Sequence, residues 1–181
     1  MYSNFKKLKK RTPENGTDRE SYLSLLVDEY LNSASIDSKR QVLANLANFA
    51  YDPINYEFIR NVGVLDIFLH ALKTESDEKL ILFATAGICN LCLDPENSEY
   101  ILQYNGLQLL ISHIKDTNNE AVANIITSLM YLYTEQTKSE ITSPNVIEVM
   151  KSLEHSDDQR LVNLSKVFLK DVLLIKNTEN E

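Results

Sequence analysis

One stretch of sixteen residues occurs twice, and that recurrence limits the chain to folds that stack like units. The first copy is Ala44-Asn-Leu-Ala-Asn-Phe-Ala-Tyr-Asp-Pro-Ile-Asn-Tyr-Glu-Phe-Ile59; the second is Ala86-Gly-Ile-Cys-Asn-Leu-Cys-Leu-Asp-Pro-Glu-Asn-Ser-Glu-Tyr-Ile101. Asp52, Pro53, Asn55, Glu57 and Ile59 return as Asp94, Pro95, Asn97, Glu99 and Ile101, 42 residues on. Self-similarity at a period of roughly 20–50 residues marks a solenoid, in which each unit buries its apolar side against the next.

The contents of the unit are helical. Only four glycines and four prolines occur, which disfavours strand-and-turn folds. Asp18 suits an N-cap, and Tyr22, Leu25, Leu26 and Tyr30 follow at helical spacing, predicting a helix over about 19–32. Asp37 is read as the cap of the next, which ends before Pro53. The Asp-Pro step fits the junction of two helices, because Pro at the first helical position loses no intrahelical hydrogen bond. A short helix (54–61), a break at Gly63 and a medium helix (64–73) follow. The order then repeats as long (76–93), short (96–104), a break at Gly106, and medium (107–115). A long helix over 118–133, a degenerate polar stretch over 134–143, a medium helix over 145–153 and a long one over 157–175 close the array.

Composition narrows the function classes. With 44% hydrophobic residues the chain can bury a sizeable core. No apolar run approaches the ~18 residues of a membrane span, and the N-terminus is basic with no secretory apolar region. Two cysteines are too few for a disulfide scaffold, which suits a reducing compartment. The net charge of −8 hides an asymmetry: five of the 18 basic side chains lie in residues 1–11, leaving 13 bases against 26 acids and a body of −13. Such a body repels phosphate backbones and suits a basic protein partner. Residues 1–17 read as a disordered basic arm, 18–175 as the repeat domain and 176–181 as a polar tail. The arm resembles an import signal or a nucleic-acid contact, beside the plainer reading of a solvated tail.

Several residues could carry binding. Reading each long helix at i, i+4, i+7 gives the stripes Gln41/Asn45/Asn48, Phe83/Gly87/Asn90, Asn124/Ser128/Tyr131 and Asn163/Val167/Lys170. Asn48 aligns with Asn90 and, at offset 41, with Tyr131. Polar and small residues along one face of otherwise apolar helices favour a lined groove, with Phe83 and Tyr131 as aromatic anchors. The plainer reading is that the asparagines brace neighbouring repeats. Cys89-Asn-Leu-Cys92 lacks the second pair that zinc needs, and it matches Ala47 and Ala50 of the first copy, so it reads as small buried packing. His70, His113 and His155 recur at spacings of 43 and 42. Equivalent positions on stacked helices lie ~8–10 Å apart, too far for one metal, so they read as surface residues. Glu57 and Glu99 recur together, which marks them as scaffold and not as an acid/base pair. No glycine-rich phosphate loop or nucleophile–histidine set is present, so no enzyme, cofactor or metal site is expected.

The short, medium, long order, the Asn-Leu and Asn-Phe of the long helices and the Asp-Pro step resemble armadillo repeats over residues 20–175. The resemblance implies an all-α, right-handed α-solenoid of about three and a half armadillo-type repeats. It implies that the long helices line a concave face where asparagine side chains hold an extended peptide, which selects Asn45, Asn48, Phe83, Asn90 and Tyr131 as partner-binding residues. An amide suits that task because it both donates and accepts. The stretches Gln41–Glu57, Cys89–Cys92 and Leu161–Asp171 narrow the resemblance to a small nuclear member of the family. That member implies a non-enzymatic subunit of the minor spliceosome, holding a partner that resembles RNA-binding motif protein 48 and contacting the ribonucleoprotein indirectly. Nuclear localisation is expected, with the cytoplasm as an alternative. The rival readings are direct RNA binding through the basic arm and a general peptide adaptor of the nuclear-import kind.

Overall fold

The computed structural model describes residues 17–115 and 117–178, with side chains through residue 171. Residues 1–16 of the expected arm and 179–181 of the expected tail lie outside the described residues. Among the described residues there is no strand, and no helix is long and apolar enough to cross a membrane.

The chain opens with a pair of helices, α1 (Arg19–Asn32) and α2 (Ile36–Ala50). Three triplets follow, each of two shorter helices and a long one. The first is α3 (Tyr56–Asn61), α4 (Val64–Thr74) and α5 (Glu78–Leu91). The second is α6 (Pro95–Gln103), α7 (Gly106–Ser112) and α8 (Asn119–Tyr131). The third is α9 (Lys138–Ile141), α10 (Pro144–Leu153) and α11 (Gln159–Thr178). The long helices α2, α5, α8 and α11 lie side by side in chain order, and α4 packs on α7. Leu46, Ile88 and Leu129 occupy equivalent positions on three of them and are wholly buried. At roughly 1.5–3 kcal/mol for each fully buried Leu or Ile, this row stabilises every repeat against its neighbour.

The recurring motif is explained by the turn it makes. Asp94 caps α6 by accepting from Asn97 N at 3.1 Å, with Pro95 at the first helical position. Asp52 does the same for a 3₁₀ turn, Pro53–Asn55, that precedes α3. Asn55 is buried and its Nδ2 donates to Phe49 O at 2.7 Å, tying off the end of α2. Ile59 and Ile101 are wholly buried. Glu57 and Glu99 depart from the scaffold expectation: both are exposed, and neither has a hydrogen bond or ion pair among the described residues.

Other boundaries depart from the sequence reading for local reasons. Ser35, not Asp37, caps α2, accepting from Ser38 N at 3.3 Å; Asp37 sits in the first turn. The left-handed break equivalent to Gly63 (φ 73°) is Asn105 (φ 64°), 42 residues on, where the sequence had pointed to Gly106. Asparagine tolerates that region better than most side chains. Gly106 is the first residue of α7 and needs to be small, since a Cβ there would stand 2.7 Å from Ile101 O. The degenerate stretch still forms the four-residue α9, and α11 runs through Thr178, into the expected tail.

Polar pairs lock successive repeats. Arg40 of α2 donates through Nε and NH2 to Asp77 at 3.1 and 2.5 Å, while Asp77 caps α5 by accepting from Lys79 N and Leu80 N. The hydrogen bonds from Arg40 hold the Asp77 carboxyl at about 2. A depressed carboxylate stabilises the fold above its unfolded value of ~3.9 and loses that contribution as pH falls toward 2. Asp77→Asn keeps a capping oxygen and loses the charge, so it is expected to cost about 1 kcal/mol at pH 7. The gap between the two proteins should narrow by about half at pH 3, measured by urea denaturation; a gap independent of pH contradicts the assignment.

Candidate partner-binding face

The row of long helices brings one predicted residue per repeat onto a common face, and the structure divides them by role. Asn48, near the end of α2, is exposed, and its side chain has no hydrogen-bond partner among the described residues. Asn45 lies one turn earlier and is half-buried. Asn90, its equivalent on α5, is half-buried and donates from Nδ2 to Ala47 O at 3.2 Å. The Asn90 carbonyl in turn accepts from Tyr56 Oη at 2.9 Å. Asn90 thus braces the last turn of α2, where the carbonyls of a helix end lack intrahelical donors. Phe83 is partly buried against the core. Tyr131 closes α8 with 52% of its surface exposed.

The stripes are narrower than the spacing indicated. Gly87 and Ser128 are buried. Gly87 faces the ring of Phe68 on α4, where a Cβ would collide with the ring carbons. Ser128 Oγ donates to Asn124 O at 2.8 Å within its own helix. On α11, Asn163, Val167 and Lys170 are exposed, and Asn163 Oδ1 accepts from Gln159 Nε2 at 3.0 Å.

The cysteines and one histidine take packing roles. Cys92 is buried and Cys89 half-buried, both as free thiols. Burial pushes both thiols up, so they stay protonated and unreactive at neutral pH. His70 and His155 are exposed, as expected of surface residues. His113 is not a surface residue: it is half-buried, with Nε2 2.7 Å from Leu72 O, which links α7 to α4 across the repeat boundary. Among the described residues no three His, Cys, Asp or Glu side chains gather as a metal would need.

Two features went unread in the sequence. Arg60 donates to Asp94 Oδ1 at 2.8 Å and Asn97 Oδ1 at 3.0 Å, and pairs with Glu96 at 3.0 Å. It occurs once per chain, at the position Leu102 takes in the second copy, so the recurrence gave no signal. Leu93 is half-exposed immediately before the second Asp-Pro. Its signal was available: Tyr51 stands 42 residues earlier, also apolar and exposed.

Comparison with models of protein families gives no match. Armadillo repeat-containing protein 7 of Mus musculus is 46% identical over 155 residues, covering 84% of this chain and 78% of that protein. A designed armadillo repeat protein superposes with a TM-score of 0.69 at 20% identity, over 83% of this chain and 64% of its own. A second, solved in complex with the peptide (KR)4, gives 0.70 at 16% identity, over 82% and 63%. This chain therefore spans slightly less than two thirds of those designed proteins, and at such identities the likeness carries the fold alone. The fold and the 46% identity over most of both sequences together place this chain in the armadillo repeat-containing protein 7 family.

Proposed function

We propose that this chain is a non-enzymatic scaffold whose row of long helices holds an RNA-binding protein partner, resembling RNA-binding motif protein 48, within the nuclear minor spliceosome. The observation that carries the binding face is Asn48: an exposed amide, unused by the fold, on the helix face that neighbouring repeats continue. An amide can donate to one peptide carbonyl and accept from one peptide N–H, which reads backbone without regard to sequence. Tyr131 supplies exposed aromatic area two repeats away, and aromatics dominate binding hot spots. The acidic body favours a basic protein partner over bare phosphate.

The test is a pair of titrations of the purified full-length chain, one with the RNA-binding partner and one with single-stranded RNA at physiological salt. The partner is expected to bind, and replacing Lys6, Lys7, Lys9 and Lys10 with alanine should leave its affinity unchanged. RNA is expected to give no saturable binding. RNA binding with a steep salt slope that vanishes in the lysine variant makes the chain a direct RNA binder instead. Binding of a (KR)4 peptide as tight as that of the partner makes it a general adaptor.

A further inference from the structure

Where each long helix hands over to the next short one, the array carries two equivalent clefts one repeat apart. The first is lined by Pro53, Ile54, Tyr56 and Glu57 with Leu93. The second is lined by Pro95, Glu99 and Leu102 with Leu93, Tyr131 and Thr134. Pro53 corresponds to Pro95 and Glu57 to Glu99 at the 42-residue period, and Leu93 forms a wall of both. Leu93 and Tyr131 keep about half their surface in solvent. Tyr131 is not the counterpart of Leu93 in the next repeat, so what recurs is the proline and the glutamate, and each cleft adds its own exposed apolar wall.

The acids of this edge are the second observation. Every other recurring residue of the motif has a task in the turn, whereas Glu57 and Glu99 are exposed and unpaired among the described residues. Asp94 and Glu96 add to them, and the one base in the first cleft, Arg60, is already matched by that pair. The edge therefore joins two apolar seats to a net negative rim.

We propose that this edge binds an extended segment of a partner protein carrying two apolar side chains three residues apart, with lysine or arginine between and beside them. Stacked helices lie ~8–10 Å apart, so the two seats share that spacing. A polyproline-II segment has three residues per turn and rises ~3.1 Å per residue, so side chains at i and i+3 share one face and span it. The intervening basic side chains then reach Glu57 and Glu99. This edge borders the asparagine face and shares Tyr131 with it, whereas Asn48 lines neither cleft and serves as the control.

The probe is a fluorescein-labelled peptide, Gly-Leu-Lys-Lys-Leu-Lys-Gly, titrated against the full chain. Its isomer Gly-Leu-Leu-Lys-Lys-Lys-Gly has the same composition and charge. The ordered peptide is expected to bind about tenfold tighter than the isomer. Leu93→Ser should remove that advantage without moving the melting temperature, since Leu93 is half-exposed. Glu57→Gln with Glu99→Gln should weaken binding about tenfold and flatten its salt dependence, while Asn48→Ala changes nothing. Equal affinity for the two peptides, or loss in Asn48→Ala with Leu93→Ser unaffected, overturns the proposal. The chain's own Phe5-Lys6-Lys7-Leu8 has the same order, and the chain enters the array at this edge, with Arg19 4.9 Å over the Phe49 ring. Phe5→Ser with Leu8→Ser should leave probe affinity unchanged; a tenfold gain would show that the arm is the occupant and overturn the partner assignment.

Discussion

Gly87→Ala is expected to destabilise this protein by about 2–3 kcal/mol, although the same change on an open helix gains ~1 kcal/mol. The reversal follows from Phe68. Its ring is wholly buried on α4 and lies where the new Cβ must go, so α4 and α5 have to separate or the ring has to leave its rotamer. For a chain of this length the loss corresponds to a melting temperature lower by about 4–12 °C. Phe68→Leu makes room at that spot while creating a partial cavity of its own. In that background Gly87→Ala should cost little or stabilise, giving a double-mutant coupling of about 2 kcal/mol. A neutral Gly87→Ala in the wild-type background would mean that α4 and α5 do not approach as described.

Gly87 also shows where the sequence stopped being legible. The recurrence at 42 residues led to the solenoid, the helix order and the Asp-Pro caps, because those depend on local chemistry repeated in register. What a single helix buries depends on its neighbour, and a stripe at i, i+4, i+7 cannot say which member turns inward. Gly87 and Ser128 looked like groove lining and are packing positions. His113 looked like a surface residue and links α7 to α4, because its partner is a backbone carbonyl 41 residues away that no side-chain pattern announces. Asn105 was passed over for the glycine beside it, although its alignment with Gly63 was readable from the period. Glu57 and Glu99 erred in the opposite direction: recurrence was taken for scaffolding, and the turn makes no use of them.

The asparagines illustrate the same limit, and the structure now separates them. Asn90 donates to Ala47 O, so Asn90→Ala should cost about 1 kcal/mol of stability through the lost hydrogen bond. Asn48 is exposed and unpaired among the described residues, so Asn48→Ala should leave stability within about 0.5 kcal/mol. If the long helices hold the partner's backbone, each amide buried by that partner contributes roughly 0.5–1.5 kcal/mol. The double variant should then bind about 2- to 10-fold more weakly, as Asn48→Ala does alone, with its loss of stability assigned to Asn90. Tyr131→Ala should weaken binding by a comparable factor, because its ring is already half in solvent and available as an anchor.

Asn48→Ala, followed by melting temperature and by affinity for the RNA-binding partner on one preparation, tests the central claim most directly. The account predicts an unchanged melting temperature with a dissociation constant raised about 2- to 10-fold. An unchanged melting temperature with unchanged affinity would contradict it, and would take the asparagine face out of partner binding.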